Sequence, residues 1–136
     1  MRVVLDSSVT LAWAYGDERT GEIEALFDRI ADAGAMVPRL WHFEVANAVT
    51  GAVRSKRVWV LQWSAIVADL ATLMILVDQH AEAKAWAATL EIADQCGLTL
   101  YDAAYLELAH REVLLLVTLD KAPIRGAEIK GVTVLP

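Results

Sequence analysis

Short runs of wholly apolar residues alternate along this chain with segments of helical periodicity, and that alternation constrains the fold more than any other feature. Val3-Val4-Leu5 comes first, then Ala35-Met36-Val37, Met74 to Val77, Leu114 to Val117 and Val132 to Val134. None shows the period-two pattern of a half-solvated strand, so each reads as a strand buried on both faces. Between them lie helical stretches at Ser8–Tyr15, Thr20–Ala33, Leu40–Arg54, Val58–Leu73, Gln79–Gln95 and Asp102–His110. In Thr20–Ala33 the residues Ile23, Leu26, Phe27 and Ile30 recur at helical spacing, with Gly34 as the stop. Strands that alternate with helices imply a mainly parallel sheet covered on both sides. The expected fold is therefore a three-layer α/β/α domain with a mainly parallel central sheet of about five strands, spanning residues 1–136.

The stretch Val58–Val77 holds no basic residue and is long enough to cross a bilayer. Asp69 near its centre would cost about 2.5–3.5 kcal/mol on insertion. A helix followed by a short strand accounts for the run, and no membrane span is expected. Arg2 runs straight into the first strand without a secretory pattern, and the lone Cys96 cannot form an internal disulfide. A cytoplasmic location is the resulting expectation. Hydrophobic residues make up 57% of the chain, so part of its surface is expected to be covered by a partner. The formal net charge is −6, the reverse of a general nucleic-acid binder. Action on a phosphate backbone would need cations to neutralise charge locally.

In parallel α/β sheets, ligands bind beyond the carboxyl ends of the strands. Four acids fall at that end or in a helix that covers it. Asp6 follows the first strand, and Asp120 follows the fourth after Thr118 and Leu119. Asp102 opens a helix, and Glu44 lies inside an apolar helix soon after the second strand. Taken singly, Asp6 and Asp102 also suit helix N-termini, and Asp120 suits a surface turn. Together they make a different case. Two carboxylates 5 Å apart repel by about 3 kcal/mol at an effective dielectric near 20. A cluster of four therefore calls for a cation, and hard oxygen ligands suit Mg²⁺ or Mn²⁺. Such ions assist in-line phosphoryl displacement without any histidine.

The segments Val3-Val4-Leu5-Asp6-Ser7-Ser8, Phe43-Glu44-Val45-Ala46-Asn47-Ala48, Leu100-Tyr101-Asp102-Ala103-Ala104-Tyr105-Leu106 and Leu116-Val117-Thr118-Leu119-Asp120-Lys121-Ala122 together resemble the PIN-domain family. The size and the Tyr-Asp-Ala-Ala-Tyr stretch are most similar to VapC-type toxins of toxin–antitoxin pairs. The resemblance covers essentially the whole chain, with the four segments in family order. It implies a metal-dependent ribonuclease acting on RNA, with Asp6, Glu44, Asp102 and Asp120 on the family's acidic positions. It places Ser7 and Thr118 where small hydroxyl residues line the site. It also implies a homodimer and a cognate antitoxin that blocks the site. Asn47 follows Glu44 by one helical turn and shares its face, where it can orient the carboxylate or simply pack. Pro123 departs from the pattern, because it stands where a helix is expected to begin after Asp120, although a first helical turn tolerates proline.

Other residues fit plainer roles. Asp78 suits an N-cap, and Asp94 lies near an ordinary helix end, although the family's plan also puts it near the crevice. His42, His80 and His110 are widely separated and form no zinc pair. Trp59 and Trp63, one helical turn apart, are expected in the core or at an apolar contact. Arg54, Lys56 and Arg57 suit a helix C-terminus, with guidance of RNA phosphates as the sharper alternative. Two rival readings share the expected fold: a PIN-like binding module that no longer cuts, and a phosphoacceptor receiver domain. The latter wants paired acids after the first strand, where this chain has Asp6-Ser7-Ser8.

Overall fold

The structure is a computed structural model and describes residues 1–16 and 18–136. In chain order the elements are β1 (Val3–Leu5), α1 (Ser7–Tyr15), α2 (Gly21–Ala33), β2 (Ala35–Val37), α3 (Leu40–Arg54), α4 (Val60–Ala71), β3 (Ile75–Val77), α5 (Ala81–Lys84), α6 (Ala88–Cys96), α7 (Leu100–Glu112), β4 (Leu115–Val117), α8 (Lys121–Lys130) and β5 (Val134–Leu135). The five strands form one sheet in the order β3-β2-β1-β4-β5, and every pairing is parallel. The expected three-layer α/β/α architecture is the observed one.

The apolar strands lie where their composition demands. Val3, Val4 and Leu5 at the sheet centre are fully buried, as are Leu116 and Val117 beside them. The edge strand β3 is only half covered, with Leu76 exposed. Parallel neighbours need crossovers that leave the sheet and return with one hand. From β1 the chain moves outward through β2 to β3, then jumps back across β1 to β4 and on to β5. That reversal puts α1 to α4 on one face and the later helices on the other. The packing divides accordingly: α1 touches α2, α3 and α4, whereas α7 touches α6, α8, β1 and β4. The reversal falls between β1 and β4, the point where a crevice opens beyond the strand ends.

Gly34 joins α2 to β2 with φ +82° and ψ 173°, a conformation open essentially to glycine alone. A Cβ there would stand 3.1 Å from the Met74 carbonyl oxygen, so the β2–β3 pairing also requires the bare backbone.

Several boundaries differ from the sequence expectation. The Gln79–Gln95 helix is two helices, α5 and α6, broken at Ala85–Ala87. Ala87 leaves helical geometry at φ −126°, ψ −104°, and Trp86 turns outward at 92% exposure. The helix at Asp102 begins two residues earlier, because the Thr99 side chain accepts from the Asp102 backbone N–H and caps it. The last strand is Val134–Leu135 rather than Val132–Val134. Trp59 and Trp63 are not core residues: Trp59, just before α4, is 76% exposed, and Trp63 is exposed on α4. Pro123 is the third residue of α8, where no intrahelical N–H bond is lost. Among the described residues, no helix is long and apolar enough to cross a membrane.

Candidate metal centre

Asp6 leaves the end of β1 and serves as N-cap of α1, buried at 3% exposure. Its Oδ1 accepts the Ser7 backbone N–H at 2.8 Å. Its Oδ2 accepts the Ser8 hydroxyl at 2.9 Å and the Thr118 hydroxyl at 2.6 Å. Those hydroxyls are fixed from behind, Ser8 Oγ accepting from Leu119 N–H and Thr118 Oγ1 from Asp120 N–H, each at 3.1 Å. Each hydroxyl has one proton and gives it to Asp6. The ends of β1 and β4 are thus joined through a single charged carboxylate, whose hydrogen bonds are of the strong, charge-assisted kind.

The other three acids come from three further elements. Asp120 is the N-cap of α8, Asp102 lies in the first turn of α7, and Glu44 projects from α3. Each feels Asp6. Burial raises the Glu44 pKa, aided by the charges of Asp6, Asp102 and Asp120, while a hydrogen bond from Tyr105 opposes them. Burial and then Asp6 raise that of Asp102, against a bond from Thr99. Asp120 is pushed up to about 6 by partial burial, then by the charge of Asp6, a hydrogen bond with Asp6 and the charge of Asp102. The residue as a whole is exposed, so we weight the crowded negative charge above burial as the cause.

Four carboxylates drawn from four elements therefore share one electrostatic neighbourhood. Mutual repulsion of this kind is what a divalent cation relieves, and an all-oxygen donor set suits Mg²⁺ or Mn²⁺. Among the described residues, no three His, Cys, Asp or Glu side chains stand at ligating separation. The fit to a cation is thus one of chemistry and proximity.

Ser7 and Thr118 lie in this neighbourhood, as the sequence reading expected. Asn47 is exposed on α3, and among the described residues no hydrogen bond joins it to Glu44. Ser8 and Tyr105 were not foreseen. Tyr105 lies one turn after Asp102 and donates to Glu44 Oε1 at 2.5 Å; its i+3 spacing from Asp102 was the available signal.

Asp78 is not the N-cap of α5, a place His80 holds, although its Oδ1 accepts the His80 backbone N–H at 3.2 Å. It is buried and bound by Arg111 at 2.6 Å, and Arg111 also grips buried Glu107 at 2.7 Å. Asp94 is exposed on α6, and His42, His80 and His110 are exposed on separate elements. Arg57 pairs with Glu18 at 2.6 Å and lies over the Tyr15 ring, an anchoring role rather than a free phosphate contact.

Comparison with known proteins agrees with the geometry. The family model described as "PIN domain" matches residues 3–129. Among solved structures, the crystal structure of PAE2754 from Pyrobaculum aerophilum superposes with a TM-score of 0.70 at 25% identity, covering 98% of this chain and 90% of that one. No curated protein matches. The sheet order also differs from the 2-1-3-4-5 order of flavodoxin-like folds, which sets the receiver-domain reading aside. A match across nearly the full length, on the fold and the acid placement described above, makes this chain a member of the PIN domain family.

Proposed function

We propose that this chain is a metal-dependent endoribonuclease, the VapC-type toxin of a toxin–antitoxin pair, which hydrolyses RNA phosphodiester bonds at Asp6, Glu44, Asp102 and Asp120. PIN domains are generally nucleases and typically use divalent metals. The observation that carries the nuclease part of the reading is Asp6 at the end of β1, held by Ser7, Ser8 and Thr118, with the Glu44, Asp102 and Asp120 carboxyls raised by burial and by its charge. Their oxygens would hold Mg²⁺ or Mn²⁺. Bound there, the cation supplies activation of a water and neutralisation of negative charge at the scissile phosphate.

The chain's own residues do the rest. Ser7, Ser8 and Thr118 fix the Asp6 carboxylate, so little reorganisation is needed when substrate arrives. Asp120, whose carboxyl is pushed up to about 6 without a cation, would give up its proton as the cation binds. With a net charge of −6, the surface repels a polyanion unless charge is neutralised locally. The same acidity suits a basic antitoxin segment. Exposed apolar side chains such as Trp59, Leu61 and Trp86 suit cover by a second copy or the antitoxin. A cytoplasmic homodimer held inactive by its antitoxin completes the reading.

The test is purified protein incubated with total RNA, with and without Mn²⁺. Wild type should cut only with metal, and Asp6→Asn should fold normally and not cut. Equal cleavage by Asp6→Asn, or by wild type in excess EDTA, would reject the mechanism.

A further inference from the structure

The cluster holds its members unequally. Asp6 is short and gripped by four donors, whereas Glu44 reaches the site on a long side chain from a helix whose preceding residue, Phe43, is 81% exposed. Among the described residues, one hydrogen bond reaches the Glu44 carboxylate, and it comes from Tyr105. Tyr105 is 1% exposed on α7, so its ring is locked by the core. Its hydroxyl has one proton to give. The phenol is the donor and the Glu44 carboxylate the acceptor. The bond engages Oε1 and leaves Oε2 out of it.

Glu44 meets the negative charge of Asp6, Asp102 and Asp120. A flexible carboxylate under that repulsion swings toward solvent unless something retains it. We infer that Tyr105 is a positioning residue, whose buried hydroxyl holds the Glu44 carboxylate toward the acidic cluster, ready for a cation to draw the acids together. The inference rests on the nuclease reading above. It adds that cation affinity depends on a group that touches neither the cation nor RNA.

Tyr105→Phe removes one oxygen and keeps the ring. Loss of a partner that orients a metal ligand weakens metal binding by about tenfold or more. Titration of metal-free protein with Mn²⁺, followed by calorimetry, should therefore show about tenfold weaker binding in Tyr105→Phe. In a Glu44→Gln background the same change should add little, because the two side chains act as one unit. RNA cleavage should fall in kcat with KM nearly unchanged. Tyr105→Phe that melts lower yet binds Mn²⁺ like wild type would overturn the inference and leave the nuclease reading intact. Wild type that binds no Mn²⁺, or Asp6→Asn that binds it equally well, would overturn both. Should Tyr105→Phe unfold at the assay temperature, the titration is run cold with trimethylamine N-oxide, which favours the compact state, and is read the same way.

Discussion

Arg111 joins two buried acids, and its removal should be the most damaging single polar change on the face opposite α1. Its Nη2 lies 2.6 Å from Asp78 Oδ2, and its Nε lies 2.7 Å from Glu107 Oε1. The two carboxylate side chains are only 2% and 5% exposed. Arg111→Met keeps much of the stem and strands both charges, which costs about 3–5 kcal/mol. For a chain of this size that lowers Tm by about 10 °C. The pH dependence carries the signature. In the wild type, burial alone would raise the Asp78 pKa, but the Arg111 bonds, the His80 backbone N–H and the Arg111 charge outweigh it and leave it lowered. A lowered pKa contributes stability above the unfolded carboxylate range, and that stability is lost as pH falls through the folded value. Without Arg111, burial prevails and the carboxyl takes up a proton instead. The gap between wild type and variant should therefore be widest at neutral pH and shrink on acidification. Urea unfolding across that range measures it. A gap under about 1 kcal/mol, or one independent of pH, would refute the buried ion-pair account.

Two further expectations concern the acidic cluster and the sheet. The raised Asp120 pKa contributes stability below the unfolded carboxylate range, and that contribution is lost as pH rises through about 6; Mn²⁺ should restore it, so its stabilising effect should be larger at neutral pH than under acid conditions, and Asp120→Asn should flatten that dependence in a thermal-shift series. Gly34→Ala should destabilise by about 1–3 kcal/mol in urea unfolding, because the backbone is left-handed there and the Met74 carbonyl blocks the new Cβ.

The features legible in the sequence were those set by neighbours along the chain. Val3-Val4-Leu5 and Leu114 to Val117 announced themselves as buried strands, and the acids just beyond their ends followed from the crevice rule. The less legible features depend on distant partners. Nothing near Arg111 reveals that it will meet Asp78, thirty-three residues away, inside the fold. Ser8 looked like a helix residue, and only the return of β4 alongside β1 turns its hydroxyl toward Asp6 and Leu119. Tyr105 read only as part of the Tyr-Asp-Ala-Ala-Tyr stretch, and its role depends on α3 bringing Glu44 to it. Trp59 and Trp63 have the spacing of a core stripe, but α4 presents them outward. Helical periodicity shows which residues share a face and not what that face meets. The break at Ala85–Ala87 was not legible either, since alanine and tryptophan are acceptable helix formers.

The strand reversal between β1 and β4 also has a consequence for how the acidic cluster comes and goes. Its four members ride on segments that are adjacent only after the chain has doubled back across its own first strand. No fragment carrying one side of the sheet holds more than part of the charge, and opening either crossover family dismantles the cluster. The assembly works as a coincidence detector for completed folding. Partly made or partly melted molecules should be harmless to RNA, and the hazard should appear in one cooperative step.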